Sequence, residues 1–182
     1  MPQSRMIDAP PPSTTSHVVF SIAGDRLALP VGAVRRFLPL PRLDRLPTAP
    51  APVEGIFVYH GTVVPVLRLA AILGLPVRDV GLYAPLLLVE RAEGRAEGRA
   101  EGMLALLAGR VHGVVPVAPE DLLPADPALS FNGCAVGAFR DALGTVAVLS
   151  PGRLLTETET SLLDAFRAAE ERRLSGWSAT TP

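Results

Sequence analysis

Short apolar runs, separated by glycine and proline, dominate the chain from residue 17 to residue 149. Three pairs of runs have the spacing of β-hairpins: 17–22 with 26–30, 55–60 with 62–66, and 134–139 with 145–149. Three further runs predict single strands: 85–89, 103–107 and 110–117. Gly109 and Gly113 predict bends or bulges at the last of these. Many short strands at this spacing indicate small barrels or sandwiches.

Two segments depart from this pattern. Residues 39–52 contain five prolines, which lack an N–H and fix φ, so they predict an extended connector outside the sheets. Residues 67–75 have helical composition. A longer helix is predicted at 157–176, with acidic residues in its first turn. The apolar stripe of this helix consists of Leu162, Leu163, Phe166 and Leu174. We expect it to pack on the barrels in preference to binding a partner.

The same patterns predict how the chain is organised. Residues 1–16 form a disordered, proline-rich arm, and residues 17–156 form the folded domain. Within it we expect one subdomain at about 17–80 and a second at about 81–156. A threefold Arg-Ala-Glu-Gly repeat at 91–102 is neutral and rich in glycine, which predicts a solvated hairpin loop. Residues 177–182 form a loose tail, in which Trp177 could dock on the domain.

Composition narrows the class of protein. The chain has 182 residues, of which 48% are hydrophobic, and this excludes disorder over most of its length. The apolar runs are too short to span a bilayer and residues 1–16 lack the apolar core of a signal peptide, so we expect buried strands and no membrane insertion. A net charge of −1 argues against a nucleic-acid-binding barrel, and the absence of lysine excludes lysine-dependent catalysis. The lone Cys134 cannot form an internal disulfide, which favours a reducing, cytoplasmic location.

Few residues are available for catalysis. His17, His60 and His112 do not lie at ligand spacing from one another, and Cys134 falls in a predicted strand as a small buried residue. The sequence therefore predicts no enzyme activity, no metal and no cofactor. A small hydrolase or metal enzyme using His60, His112 and Cys134 remains an alternative of another class.

Glycine, proline and valine recur at fixed spacings around the second hairpin. The framework reads Leu46-Pro-x-x-Pro50-x-x-Val53-x-Gly55-Ile56, then Tyr59-His60-Gly61-x-Val63-Val64-Pro65-Val66-x-x-Leu69. Upstream it reads Phe20-x-Ile22-x-Gly24-x-x-Leu27-x-Leu29-Pro30-Val31-x-x-Val34. These motifs resemble the CheW family over about residues 17–156. The resemblance implies two SH3-like five-stranded β-barrels that share a core, with short connecting helices and a C-terminal helix. It also implies a non-catalytic adaptor in chemotaxis, which couples the cytoplasmic tip of chemoreceptors to the regulatory domain of a CheA-like histidine kinase.

Several polar positions depart from the family pattern. Arg36 stands where the family often has glutamate, His60 where it has arginine, and Arg68 where it has aspartate. The family glutamate and arginine can pair across the barrel, whereas Arg36 and His60 cannot. The resemblance assigns a set of protein-binding residues: Val34, Arg36, Gly55, Tyr59, His60, Gly61, Pro65 and Val66. The altered pair motivates an alternative, a divergent adaptor that serves motility or another chemosensory pathway without the usual receptor contacts.

Overall fold

The strands follow the predicted apolar runs closely. The structure is a computed structural model, and it describes residues 13–79, 81, 83–90 and 102–178. The strands are β1 Thr15–Ile22, β2 Asp25–Pro30, β3 Val34–Pro39, β4 Val53–Tyr59, β5 Thr62–Arg68, β6 Pro85–Glu90, β7 Met103–Leu107, β8 Arg110–Val117, β9 Leu123–Pro124, β10 Ala135–Asp141 and β11 Gly144–Leu149. The α-helices are α1 Leu69–Ile72 and α2 Glu157–Ser178. Single 3-10 turns lie at Val31–Ala33, Pro119–Asp121, Pro127–Leu129 and Pro151–Arg153.

All three predicted hairpins are confirmed: β1 pairs with β2, β4 with β5, and β10 with β11, each antiparallel. The first turn is formed by Ala23 and Gly24, because β2 begins at Asp25, one residue before the predicted run. The Arg-Ala-Glu-Gly repeat lies in sequence between β6 and β7, which pair antiparallel. The repeat itself lies outside the described residues except for Gly102, as do residues 1–12 and 179–182.

The described strands form two sheets, one with the order β8-β1-β2-β11-β10-β9 and the other β3-β6-β7-β5-β4. The first has five long strands and the two-residue β9. This arrangement with a C-terminal helix confirms the predicted fold class. The predicted boundary near residue 80 does not separate the sheets, because β1 and β2 pair with strands from the end of the domain. Parallel pairing of β2 with β11, and of β5 with β7, joins segments that are far apart in sequence.

Among the described residues, three buried clusters account for much of the apolar composition. The largest lies between the sheets and includes Phe20 and Leu27 from one sheet and Leu87 and Leu106 from the other. A second cluster lies on the opposite face of the five-stranded sheet, and a third on the opposite face of the six-stranded sheet. In β6 the side chains alternate between the first two clusters, so both faces of the strand are buried. Such strands are continuous apolar runs, as the sequence predicted.

Three local predictions are corrected. The apolar run at 67–75 is strand up to Arg68 and helical only at Leu69–Ile72, because β5 pairs with β7 through Arg68. Thr15 and Ser16, predicted to lie in the disordered arm, are strand, since β1 begins at Thr15 and pairs with β8 from that residue. Cys134 is buried as expected, but it lies in the turn before β10 and not within a strand.

Helix α2 begins at a capping box. The Thr156 hydroxyl accepts a hydrogen bond from the Glu159 backbone N–H at 3.2 Å, and the Glu159 carboxylate accepts one from the Thr156 N–H at 2.8 Å. The helix continues through Gly176 to Ser178, beyond its predicted end, so Trp177 is helical; it is 81% exposed and undocked. No helix among the described residues is long and apolar enough to span a membrane.

The buried face of α2 differs from the predicted stripe. Leu163 is 3% exposed and, with Phe166, packs against the cluster between the sheets. Leu162 and Leu174 are exposed, and the next buried residue along this face is Glu170. A helix advances 100° per residue, so Leu162 and Leu163 cannot both point toward the core. Contact with β5 selects the face that carries Leu163.

Candidate functional site

The tip of the β4–β5 hairpin presents two exposed residues of the predicted binding set, His60 and Gly61. Tyr59 ends β4, and a two-residue turn of His60 and Gly61 leads into Thr62. Both turn residues have positive φ, 49° at His60 and 80° at Gly61, as type I′ hairpin turns require. Histidine is one of the side chains found more often than most in this conformation. The turn therefore holds His60 outward into solvent.

Aromatic contacts fix the orientation of this tip. The rings of Tyr59 and His60 lie edge to face, with centroids 4.3 Å apart. The Tyr59 ring also meets Phe57 edge to face at 6.3 Å, and it packs against the second buried cluster. Half-buried Tyr59 thus connects an exposed imidazole to the core of the sheet. The tip is a small, preorganised aromatic and basic surface.

Gly55, Pro65 and Val66 are buried. Pro65 pairs with Ile56, and Val66 belongs to the second cluster. A Cβ at Gly55 would lie 3.0 Å from the backbone oxygen of Asp44, because the proline-rich connector crosses β4 there. These three residues shape the hairpin and are not accessible to a partner in this structure.

Val34 and Arg36 lie on β3, at the opposite edge of the sheet from β4. Val34 is half-buried and packs against the cluster between the sheets, whereas Arg36 is exposed. Arg36 makes no ion pair within the described part of the chain. Its neighbour Arg35 donates from Nε to Glu90 Oε2 at 2.6 Å. Arg36 is therefore an exposed cation with no ion-pair partner among the described residues, and its role in recognition stays a prediction.

A buried carboxylate organises a charge cluster that sequence reasoning missed. The Glu54 side chain is 9% exposed and accepts hydrogen bonds from Arg45 Nη2, at 2.6 Å, and from Arg68 Nη2. Arg45 lies nine residues away on the connector and Arg68 fourteen residues away at the end of β5. No helical or strand periodicity links such positions. The available signal was Arg68 itself, a basic residue where the family motif has an acid.

The histidines and the cysteine occupy separate places. Buried His17 is bonded through Nδ1 to the Thr15 carbonyl at 3.0 Å, and exposed His112 through Nε2 to Ser21 Oγ at 3.0 Å. Cys134 donates from Sγ to the Arg153 carbonyl at 3.2 Å. Burial first, and the negative charge of Glu159 second, raise the pKa of the Cys134 thiol.

The structure does not assemble the alternative enzyme site. His60 lies on the five-stranded sheet, His112 on an edge strand of the other sheet, and Cys134 in a buried turn. Within the described ranges, no three histidine, cysteine or acidic side chains are grouped so that they could hold a metal ion.

Comparison with known proteins agrees with this architecture. A family model described as the CheW-like domain matches residues 16–159. The fold is similar to that of the scaffolding protein TtCheW from Thermoanaerobacter tengcongensis, with a TM-score of 0.67 and 21% sequence identity over 78% of this chain and 92% of that chain. At this identity the similarity shows the fold alone. No curated protein matches the sequence. Since the family model spans most of the chain and the fold agrees with it, the chain belongs to the family of CheW-like domains.

Proposed function

We propose that this protein is a non-catalytic, cytoplasmic adaptor that couples chemoreceptors to a CheA-type histidine kinase. The observation that carries the proposal is the family match over residues 16–159, which covers both sheets. The fold shared with a bacterial scaffolding protein supports it. An adaptor acts by presenting fixed surfaces to two partners at once, and two sheets locked together by a common core suit that role.

In this proposal the exposed Arg36 and His60 make direct contacts from the two edges of the sheet, with Tyr59 beside His60. Gly55, Pro65 and Val66 act indirectly, by holding the hairpin rigid. A preformed surface loses little conformational entropy on binding, and this raises affinity without extra contact area. Exposed basic residues set partner choice and association rate more than they set affinity.

Isothermal titration calorimetry tests the proposal with the purified chain, a CheA regulatory domain and a receptor-tip fragment from the same organism. Micromolar binding to both partners is the expected result. Binding to the kinase domain alone would point to an adaptor with a different input. Binding to neither would refute the coupling role while leaving the fold assignment intact.

Charge reversal tests the predicted contacts. Arg36→Glu removes a cation that has no internal partner among the described residues, so folding is unaffected. If Arg36 faces a partner carboxylate, the affinity falls about tenfold or more. Arg42→Glu is the matched control, an exposed arginine on the connector that has no ion pair in the described part of the chain. Equal effects of the two substitutions would show only a general charge effect and would remove Arg36 from the site.

The altered Arg36 and His60 pair also supports a second candidate, an adaptor of another motility or chemosensory pathway that lacks the usual receptor contacts. The double substitution Arg36→Glu with His60→Arg restores the family pattern. If the double variant bound the receptor fragment more tightly, the natural Arg36 and His60 would be shown to weaken the usual receptor contacts. Unchanged receptor affinity would mean that the altered pair no longer supports the second candidate function.

A further inference from the structure

Two cavities meet at Arg68, at the end of β5. Their volumes are about 340 Å³ and about 440 Å³. Each is within the range of sites that hold small molecules. The residues that line both cavities are Arg68, Arg78, Asp79 and Leu107. The cavities therefore have a common wall and form two compartments of one cleft.

The smaller compartment is mainly apolar and lies where the two sheets meet. Ile22 and Ala23 contribute from the β1–β2 hairpin of the six-stranded sheet. Leu107 and Ala108 contribute from the end of β7, and Ala70 from α1. An apolar group of modest size placed here would contact both sheets.

The larger compartment carries the charge. Three guanidinium groups line it, those of Arg45, Arg68 and Arg78, together with the carboxylates of Glu54 and Asp79. One positive charge is in excess. The Glu54 side chain is almost fully buried and forms ion pairs with both Arg45 and Arg68. It therefore holds two guanidinium groups at the wall of one cavity.

Arg68 retains unused hydrogen-bonding capacity. Glu54 engages its Nη2 atom, and Nε and Nη1 have no partner among the described residues. A guanidinium presents five N–H donors in a planar fork that matches a carboxylate. Arg78 also makes no ion pair within the described part of the chain. The cleft thus offers donors on a fixed cation beside an apolar compartment.

We propose that this cleft binds a small organic carboxylate that carries an apolar group. The carboxylate pairs with Arg68, supported by Arg78 and Arg45, and the apolar group fills the compartment between the sheets. A single excess positive charge matches a monoanion, whereas Glu54 and Asp79 would repel a dianion such as a phosphate monoester. This inference goes beyond the adaptor role and does not depend on it.

The test is an NMR titration of the full-length, ¹⁵N-labelled protein with N-acetylleucine. N-acetylleucinamide is the uncharged control, with the same apolar group. We expect saturable shifts at residues 68–73 and 105–109, with a Kd on the order of 1 mM for a ligand of this size. Arg68→Gln weakens binding about tenfold or more, because a charge-assisted pair is lost. Arg140→Gln, an exposed arginine on β10 that lines neither cavity, leaves the affinity unchanged.

Several results would overturn the proposal: equal binding of the amide, an unchanged affinity in Arg68→Gln, or no saturable shift at about ten times the expected Kd. Glu54 keeps Arg45 as a partner when Arg68 is replaced, so the variant is expected to fold. If it does not, Arg78→Gln provides the same test, with a smaller loss expected because Arg78 is the supporting cation. The titration contains neither kinase nor receptor, so its failure would leave the adaptor proposal standing.

Discussion

At Gly109 the chain passes close against the backbone of β1. It lies between β7 and β8, and a Cβ built there would be 2.4 Å from the backbone oxygen of Ser21. Side-chain Cβ atoms essentially never come closer than 3.0 Å to another heavy atom. Ser21 cannot easily move, because β1 pairs there with Arg26 of β2 on one side and Arg110 of β8 on the other. Gly109→Ala should therefore destabilise the fold.

The size of the effect follows from the required movement. Backbone must shift by at least about 0.6 Å to relieve the contact, inside a three-stranded arrangement held on both sides. Overpacking that moves backbone costs typically about 1–3 kcal/mol. For a chain of this length, each kcal/mol lowers the melting temperature by about 2–4 °C. The expected fall in melting temperature is therefore about 2 to 12 °C.

Thermal unfolding followed by circular dichroism measures this fall. Gly32→Ala is the matched control, because its Cβ would have no heavy atom within 4 Å and its φ is not positive. That substitution should be neutral or slightly stabilising, since alanine restricts the unfolded chain. If Gly109→Ala melted within about 1 °C of the control, the reasoning from backbone contact would be refuted.

Three further predictions concern α2, Asp141 and Cys134. Leu163→Ala should lower the free energy of unfolding by about 2–5 kcal/mol, whereas Leu162→Ala, at a 55% exposed site, should change it by under about 0.5 kcal/mol in urea titrations. Burial raises the pKa of Asp141, but hydrogen bonds from the Leu143 N–H and from Arg26 outweigh it and lower the pKa overall. The stability from ionised Asp141 is thus present above about pH 4 and lost as pH falls through the lowered pKa. In Asp141→Asn the free energy of unfolding should therefore fall less steeply with decreasing pH. The same pH dependence in the variant and the natural protein would contradict this. Buried Cys134, with its raised pKa, should react with a thiol reagent far more slowly in the native protein than in urea, and comparable rates would show that its turn opens readily.

The hairpins were predictable because each is local. A run of apolar residues, a turn and a second run specify antiparallel pairing without reference to the rest of the chain. The helix at the C-terminus was predictable for the same reason, since its capping box lies within four residues. Its buried face was not. Both Leu162 and Leu163 are apolar residues of the helix, so its sequence does not show which of them is buried. That depends on which strand the helix contacts.

The candidate site shows the same division. The family motif located the hairpin tip at Tyr59 and His60, and the tip is a local feature of two turn residues. The cluster around Glu54 could not be predicted, because its arginines come from the connector and from the end of β5. They meet only after the connector crosses β4 at Gly55.

By itself, the sequence determined the class of structure: short buried strands, three hairpins, a proline-rich connector and a terminal helix. Each of these depends on periodicity and turn chemistry among neighbouring residues. The tertiary structure alone decided which strands share a sheet. Parallel pairing of β2 with β11 joins the start of the domain to its end, and parallel pairing of β5 with β7 joins strands on either side of residue 80. Such pairings are selected by burial on both faces of a strand, a property of the whole core that no short segment encodes.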